Sequence, residues 1–277
     1  MPARKRFSTG LELVLNACEG DLQIVLTDDE ELVCAQNWAV ANNGTEILAP
    51  AIRQIFALAG KRLADLKRIG CVRGSGGFTG IRLVLATAAA LRRTTGAQLA
   101  ALDYLRALAT TLAMQEQLLY GNRIWVLTHA RRGLVHACCH MCYGPVIPAA
   151  AMRAVELATP EEVLEAVSLQ AADGKGRVHV LGSGLVRNVG LRESLEDLAS
   201  RSGTLSVRAD IIRPSVPALR LLGRHGDYFP EDVEPLYVRP CDAIENLPRL
   251  AEKMGCSASR SVSELDRMLH EEPHSAI

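Results

Sequence analysis

The hydrophobic positions of the chain predict one order of elements that occurs twice. In the first half, alternating and continuous apolar runs predict three strands, and a helical spacing of apolar residues follows them. Two further strand and helix pairs complete this half. The predicted elements are strands Leu11–Asn16, Leu22–Thr27 and Leu32–Ala39, helix Thr45–Ala59 ended by Gly60, a strand near Ile69, a helix from Thr79, strand Gln98–Leu102 and helix Asp103–Met114.

The second half repeats this order. Two apolar runs separated by Arg131-Arg132-Gly133 predict a hairpin, and strand and helix patterns alternate after it. The predicted elements are strands Arg123–His129 and Leu134–Tyr143, a strand near Arg153–Leu157, helix Pro160–Ala171, strand Val178–Leu181, helix Arg187–Ala199, strand Leu205–Val207 and helix Ser215–Gly223.

Two successive units of three strands, helix, strand, helix, strand, helix indicate a duplicated α/β fold. This plan resembles the two ribonuclease-H-like lobes of the actin, Hsp70 and sugar-kinase superfamily. We expect an N-terminal actin-like lobe over residues 8–115 and a C-terminal actin-like lobe over residues 116–243. Residues 244–277 are expected to form a helix and a loose, polar tail.

Composition narrows the class of protein. The 277 residues are 48% hydrophobic, which is ordinary for a globular protein. Lys+Arg and Asp+Glu both number 31, and this balance argues against a protein that grips nucleic acid on its own. The basic start is followed by no apolar core of signal-peptide length, and no segment reads as a membrane span. We therefore expect a cytoplasmic protein whose eight cysteines are reduced.

A glycine-rich loop, Gly74-Ser75-Gly76-Gly77, joins a strand to the helix from Thr79, which we take as the N-cap. A phosphate-binding Walker loop requires a Lys before the helix, and none is near. A dinucleotide fingerprint requires its third Gly where Thr79 stands. The pattern thus favours a tight turn that packs closely against its own chain or another polypeptide over a phosphate site.

The set of residues that a nucleotide-binding enzyme of this superfamily requires is incomplete in this chain. The first hairpin carries Asn16 where an Asp is expected, and a neutral amide lacks the charge that holds a metal-bound water. The matching hairpin, Thr128 to Gly133, also lacks an Asp at its entry. Gly182-Ser183-Gly184 follows a strand and can seat an adenosine, although three residues are a weak pattern. The sequence assigns no catalytic, cofactor-binding or metal-ligating residue to this chain.

One strand is rich in possible metal ligands. On a strand, His136, Cys138, His140 and Cys142 share one face. Because residues two apart are separated by about 7 Å, a single zinc ion cannot gather all four. The favoured interpretation is a cysteine-rich strand, and two ligands here with two from elsewhere is the alternative.

The chain resembles the TsaB (YeaZ) proteins, formerly grouped as glycoprotease-like. Arg73 to Arg82 is similar to the family's R-G-P-G-S-F-T-G-L-R motif, with Ser75 and Gly77 replacing Pro and Ser. Ala130 to Gly133 resembles part of D-A-R-R-G, with His129 in place of the Asp. Thr45 to Pro50 and Glu234 to Arg239 resemble two further motifs, so the similarity extends from about Leu11 to Ala243.

The resemblance implies a catalytically inert subunit. It would support a TsaD-like catalytic subunit, with a TsaE-like ATPase, in adding threonylcarbamoyl to the adenosine beside the anticodon of tRNA, and would contact tRNA only indirectly. Alone, such a protein would form homodimers through its N-terminal lobe. Residual ATP or ADP between the lobes, or at the interface of a complex, stays open. The alternative is an ATP-dependent kinase or transferase of the same fold that acts alone.

We predict a partner interface on the two helices of the N-terminal lobe, because they carry more small and apolar residues than one core face needs. Replacing Gly80 or Ala89 by a bulky charged residue is expected to weaken pairing without unfolding the monomer. The predicted interface residues are Ile52, Gly74, Gly76, Phe78, Thr79, Gly80, Arg82, Ala86, Ala89 and Ala90.

Overall fold

The computed structural model describes residues 9–39, 43–238, 247–257, 259–260, 263–264 and 267. The chain divides into two units, Met1–Val238 and Arg239–Ile277. The second unit contains helix α8, Leu247–Lys253. Most of the predicted tail, residues 244–277, lies outside the described residues, and so do residues 1–8.

The first sheet has five strands in the order β3-β2-β1-β4-β5. Neighbours β1, β2 and β3 are antiparallel, whereas β4 runs parallel to both β1 and β5. The strands agree with the predicted ones to within a few residues. They are β1 Leu11–Asn16, β2 Asp21–Asp28, β3 Glu31–Ala39, β4 Leu66–Val72 and β5 Gln98–Leu102.

Three helices accompany this sheet: α1 Gly44–Leu58, α2 Phe78–Thr95 and α3 Tyr104–Gln115. The predicted N-cap of α2 is wrong. The helix begins at Phe78, its N-cap is Gly77, and Thr79 lies inside the first turn. We call the first sheet with α1, α2 and α3 the first lobe.

The second sheet repeats the topology of the first. It has six strands, with the path β11-β10-β6-β7-β8 and with β9 also paired to β7. The single strand predicted near Arg153–Leu157 is instead two short strands, β8 and β9, which flank an exposed excursion. The strands are β6 Arg123–Arg131, β7 Leu134–Met141, β8 Ala150–Ala151, β9 Glu156–Ala158, β10 Val178–Leu181 and β11 Leu205–Arg208.

The helices of the second half are α4 Pro160–Ala172, α5 Ser183–Arg187, α6 Val189–Ser202 and α7 Val216–Arg224. The helix predicted at Arg187–Ala199 corresponds to α6, and the short helix α5 before it was not predicted. Asn188 separates the two, because it leaves the helical conformation and its side chain bonds back to the carbonyl of Gly184. We call the second sheet with α4, α5 and α6 the second lobe.

A shared apolar core joins the two lobes. On β1, Leu13 and Leu15 face a cluster with α1 and α2, whereas Val14 faces the opposite way. Val14 belongs to a cluster with the buried residues of α3, with Ile124 of β6 and with Leu219 of α7. Both faces of the first sheet are therefore covered, which explains why all six residues of β1 are buried.

The second lobe is closed on its outer side by a third cluster, where residues such as Trp125 and Leu127 of β6 pack with Val163 of α4. Helix α7 returns to the first lobe and contacts β1 and β2. Within the described residues, no helix is long and apolar enough to cross a membrane.

Candidate functional site

The glycine-rich loop before α2 packs against its own chain. An added Cβ at Gly80 would lie 2.0 Å from the carbonyl oxygen of Ala17, and one at Gly76 would lie 3.0 Å from Cβ of Cys18. Gly80 thus allows the start of α2 to rest on the residues that follow β1. The expectation that a bulky charge at Gly80 spares the folded monomer is wrong, because the close neighbour is backbone of the same chain.

A second segment, which we call the strap, is residues 228–238. Phe229 and Leu99 exchange two backbone hydrogen bonds of 2.8 and 2.9 Å, so the strap pairs with β5 at the edge of the first sheet. Farther along, the N–H of Leu236 donates to the carbonyl of Arg73 at 2.9 Å. The strap therefore brings the motif near Tyr237 onto the loop that carries the Arg73–Arg82 motif.

Side chains fix the strap to α2. The ring of Tyr237 lies 4.8 Å from the ring of Phe78, centroid to centroid, and its hydroxyl accepts a 2.8 Å hydrogen bond from Nε of Arg82. Asp232 accepts from both Arg92 and Arg93, at 2.9 and 2.8 Å. Phe78 and Arg82, which we predicted to face a partner, thus already contact the strap of this chain.

The remaining predicted interface residues fall into two groups. Thr79, Ala86 and Ala90 are exposed, and with Arg82 they form one stripe along α2, which we call the α2 stripe. The other predicted positions are covered to different degrees. Ile52 is buried in the core of the first lobe, Gly74 is buried, and Gly76, Gly80 and Ala89 are half-buried.

The cleft between the lobes is the second region of interest, because Asn16 points into it from the end of β1. Asn16 is fully buried, its amide donates to Oε1 of Gln23 at 2.8 Å, and its Oδ1 accepts from the N–H of Cys18 at 3.0 Å. Gln23 in turn donates to Asn37 and to the carbonyl of Pro214, each at 2.9 Å. Asn16 is therefore satisfied by the chain itself.

Glu19 spans the same cleft. Its backbone has φ +55°, in the left-handed region, and its Oε1 accepts a short hydrogen bond from the hydroxyl of Ser183 in the second lobe. The hydroxyl of Tyr104 and the backbone N–H of His129 also lie near the carboxyl. Burial raises the pKa of Glu19, and these hydrogen bonds oppose that rise without cancelling it.

The trio Ser183, His129 and Glu19 does not form a hydrolase relay. His129 reaches Ser183 through its backbone N–H, which donates to the hydroxyl at 3.1 Å. Nucleophile activation would need the imidazole to take the hydroxyl proton, and here that hydroxyl donates to a carboxyl. The arrangement ties the lobes together and offers no activated nucleophile.

The glycines beside Ser183 also have a packing role. A Cβ at Gly182 would lie 2.2 Å from the carbonyl oxygen of Leu127, and one at Gly184 would lie 2.9 Å from the same atom. These glycines let α5 rest directly on β6. Because close contact to β6 already requires both glycines, they do not indicate an adenosine site.

On the histidine- and cysteine-rich strand β7, and at Cys142 directly after it, thiols bond to nearby main chain. Sγ of Cys138 donates to the carbonyl of Arg153 at 3.3 Å, and Sγ of Cys142 to that of Leu118 at 3.4 Å. Burial raises the pKa of Cys138 to about 12 and that of Cys139 to about 11, so both remain thiols. In the part of the chain that the structure describes, no three His, Cys, Asp or Glu residues are placed to hold a metal ion.

Neither the strap nor the Glu19–Ser183 contact is predicted from the sequence. The strap has no strand or helix periodicity, and its one sequence signal was the motif around Tyr237. Glu19 and Ser183 are 164 positions apart, and each lies in a short turn or loop. Glu19 follows β1 and Ser183 follows β10, which are not equivalent strands of the duplicated fold, so the sequence carries no signal that the two residues meet.

Comparisons with known proteins agree with the stated resemblance. The model of the TsaD family, described as tRNA N6-adenosine threonylcarbamoyltransferase, matches residues 39–151. No curated protein sequence matches the chain significantly. The family match covers the end of the first sheet's hairpin, all three helices of the first lobe and the first hairpin of the second sheet.

Two solved structures from Pseudomonas aeruginosa share the fold. One, an uncharacterized protein with similarity to peptidase YeaZ, has a TM-score of 0.67 at 21% identity, covering 83% of this chain and 100% of its own. The other, YeaZ, has a TM-score of 0.64 at 19% identity with the same coverage. The chain is therefore similar to the TsaD family model over its central part, and it has the two-lobe ribonuclease-H-like fold of the YeaZ structures.

Proposed function

We propose that this protein is a non-catalytic partner subunit that supports a TsaD-like subunit in transferring threonylcarbamoyl to the tRNA adenosine next to the anticodon. The match to the threonylcarbamoyltransferase family model and the fold shared with YeaZ support a role in this modification. In this proposal the TsaD-like subunit supplies the transfer chemistry, and this chain supplies a surface that holds it.

The observation that carries the non-catalytic role is the state of the interlobe cleft. Asn16, at the position where the superfamily is expected to hold a metal-organising Asp, is neutral, fully buried and satisfied by Gln23 and Cys18. The nearby carboxyl of Glu19 is hydrogen-bonded by Ser183, and its pKa is raised by burial. A cleft closed by its own side chains, with no free anionic ligand at Asn16, does not favour Mg-ATP chemistry.

The α2 stripe is the proposed docking surface. Its small side chains Ala86 and Ala90 are exposed, and they allow a partner helix to approach closely. At one end, Arg82 of the stripe adjoins Phe78 and Tyr237, and all three are residue types enriched at protein interfaces. The partner therefore contacts the Arg73–Arg82 motif and the motif around Tyr237 together, because the strap places Tyr237 beside the glycine-rich loop.

The proposal extends to the other expected partners. In the absence of the TsaD-like subunit, the same first-lobe surface pairs two copies of this chain. A TsaE-like ATPase joins the complex, tRNA is contacted only indirectly, and the work takes place in the cytoplasm. A kinase or transferase acting alone is the competing function, and it requires nucleotide in the cleft near Asn16.

The test is reconstitution with a TsaD-like subunit from the same source. We expect Ala86→Arg to weaken the complex by at least about tenfold, because a long charged side chain would separate helices that meet across small residues. Ala172→Arg is the matched control, since Ala172 is exposed at the end of α4 in the second lobe. Affinity is measured by calorimetry, and threonylcarbamoyl transfer to tRNA is measured on the same samples.

One outcome tests the docking surface and another tests the alternative function. Equal affinity for the wild type, Ala86→Arg and Ala172→Arg would remove the α2 stripe as the docking surface. ATP turnover by the purified chain alone, lost on replacing Asn16 by Ala, would replace the proposal with the kinase or transferase alternative. We expect no such turnover, and we expect modification of tRNA only when both subunits are present.

A further inference from the structure

Glu19 has features that simple packing does not require. It is a non-glycine residue in the left-handed region, and such conformations persist where the surroundings hold them in place. Its Oε2 is buried and has no hydrogen-bond partner among the residues that the structure describes, while Oε1 accepts a hydrogen bond from the hydroxyl of Ser183. An ionised carboxylate in this position would leave a charge without adequate solvation.

The contact is made between the two lobes. Glu19 follows β1 of the first lobe, whereas Ser183 is the first residue of α5 and His129 belongs to β6, both of the second lobe. The N–H of His129 donates to the hydroxyl of Ser183, and that hydroxyl donates to Glu19. A continuous hydrogen-bonded path therefore crosses the cleft from one sheet to the other.

We propose that the Glu19–Ser183 contact is a latch that holds the two lobes closed, and that ionisation of the Glu19 carboxyl releases it. The protonated acid fits the closed cleft because it is neutral. The carboxylate gains solvation only when the lobes separate and water enters. The latch thus makes lobe closure depend on proton concentration.

The other charged or titratable groups near the carboxyl of Glu19 do not reverse the preference of the closed cleft for the protonated acid. Burial raises the pKa of Glu19, and the hydrogen bond from Ser183, the nearby N–H of His129 and hydroxyl of Tyr104, and the attraction of Arg187 lower it by less. The Cys18 thiol and the Tyr104 hydroxyl stay neutral, because burial raises the pKa of each. The folded-state pKa of Glu19 therefore lies above its ordinary 4.5, so closure is full below pH 4.5 and is lost as the pH rises through the folded-state value.

Hydrogen exchange at single amides tests the latch on the isolated full-length chain. In the wild type, we expect the amides of His129 and Leu185 to exchange faster, relative to the intrinsic rate, as the pH rises from 5 to 8. In Glu19→Gln, a neutral side chain of the same shape, we expect protection at pH 8 to exceed that of the wild type by roughly fivefold and to lose its pH dependence. Ser183→Ala should lower protection at low pH, where the wild-type latch is closed.

Glu12→Gln is the matched control. Glu12 is also a buried carboxyl whose pKa is raised by burial, but it faces Tyr228 and Arg68, not the second lobe. Its replacement should alter overall stability with pH and leave protection in the cleft unchanged. If Glu19→Gln and Glu12→Gln change protection at His129 and Leu185 equally, or neither changes it, the latch is overturned. If Glu19→Gln does not fold, Ser183→Ala with unchanged protection at low pH is enough to overturn it.

Discussion

Two glycine-rich loops occupy equivalent places in the two lobes, and their comparison shows what glycine does in each. One joins β4 to α2, and the other joins β10 to α5. In each lobe, the loop follows a strand that lies parallel and adjacent to the first strand of its sheet. Gly80 rests on the carbonyl of Ala17 after β1, and Gly182 rests on the carbonyl of Leu127 within β6. Both loops thus seat a helix on the first strand of its own sheet.

The loops differ in what covers them. The first is covered by the strap, whose Tyr237 lies on Phe78, whereas the second faces the cleft and offers Ser183 to Glu19. A glycine-rich turn before a helix suggests a phosphate site when only the sequence is known. A Cβ at Gly80 or Gly182 would lie within 3 Å of backbone, which gives these glycines a structural reason instead. The difference between the lobes lies in the neighbours of the loops.

The largest effect is expected at the second loop, from Gly182→Ala. Gly182 has φ +112° and ψ 170°, a region that side chains other than glycine rarely adopt, and its Cβ would lie 2.2 Å from backbone. The strain and the overlap together should cost about 4 kcal/mol of unfolding free energy. This loss of unfolding free energy is measured by urea denaturation, with circular dichroism as the signal.

Gly190→Ala is the control, because Gly190 lies in α6 with open space around its Cβ position and no positive φ. For Gly190→Ala we expect no loss of unfolding free energy, or a gain of about 1 kcal/mol from better helix propensity. Equal losses at Gly182 and Gly190 would mean that the close approach to Leu127 does not determine the second loop.

The next largest effect is expected on acidification, which should lower stability through a group in the second lobe. Residues 1–128 contain no histidine, whereas β7 of the second lobe carries His140, which is buried and whose Nδ1 has no hydrogen-bond partner in the described part of the chain. Burial lowers the pKa of His140 from 6.5 to about 4. The neutral ring is therefore favoured in the fold, so its stability contribution is complete above pH 6.5 and falls by about 3 kcal/mol on acidification to below pH 4.

His140→Leu should remove this part of the acid sensitivity, because leucine fills the buried space and binds no proton. The measurement is the unfolding free energy of both proteins at intervals from pH 7.5 to pH 4. Glu12 and Glu19 act in the opposite direction, since burial raises the pKa of each, so the difference between variants is the quantity to compare. A constant difference across this range would refute the assignment.

The sequence predicts the elements of both lobes well because each strand and helix has its own apolar period. Strands Gln98–Leu102 and Val178–Leu181 have the predicted bounds. The predictions are poorer where a side chain acts over a distance or a local bond breaks a pattern. The short helix α5 was not predicted, and it ends where the side chain of Asn188 bonds to the carbonyl of Gly184.

The candidate site was predicted only in part, because helical spacing is visible in the sequence and contacts between distant segments are not. The α2 stripe follows from helical spacing, but spacing alone does not separate exposed Ala86 from buried Ile52 on the facing helix. The strap and the latch depend on contacts between segments more than 130 positions apart, such as Arg82 with Tyr237 and Glu19 with Ser183. Their partners are set by the packing of the two lobes, which a single sequence does not specify.

A smaller effect is expected at the first loop, from Gly80→Ala. The added Cβ would overlap the carbonyl of Ala17, but the helical backbone of Gly80 suits alanine, so overlap alone should cost about 2 kcal/mol. Gly77→Ala in the same loop is the control, because its Cβ position is open and its φ is −65°. Thermal unfolding should separate the two variants, and a loss at Gly77 as large as at Gly80 would contradict the packing role.

The smallest effect is expected at the strap, where Tyr237 is partly exposed. Tyr237→Ala removes the contact with Phe78 and the hydrogen bond from Arg82, and it should cost about 1 kcal/mol. Tyr237→Phe keeps the ring contact and removes only the hydrogen bond, so it should cost about half as much.

Exchange of the amide of Leu236 reports the strap directly, because this N–H is bonded to the carbonyl of Arg73. We expect Tyr237→Ala to speed its exchange by roughly fivefold and to leave the amide of Leu185, beside the second loop, unchanged. If both amides respond alike, the strap is not a separate cover of the first loop. The two loops would then not differ in what covers them. Only the packing of their glycines would remain, and it is the same in each lobe.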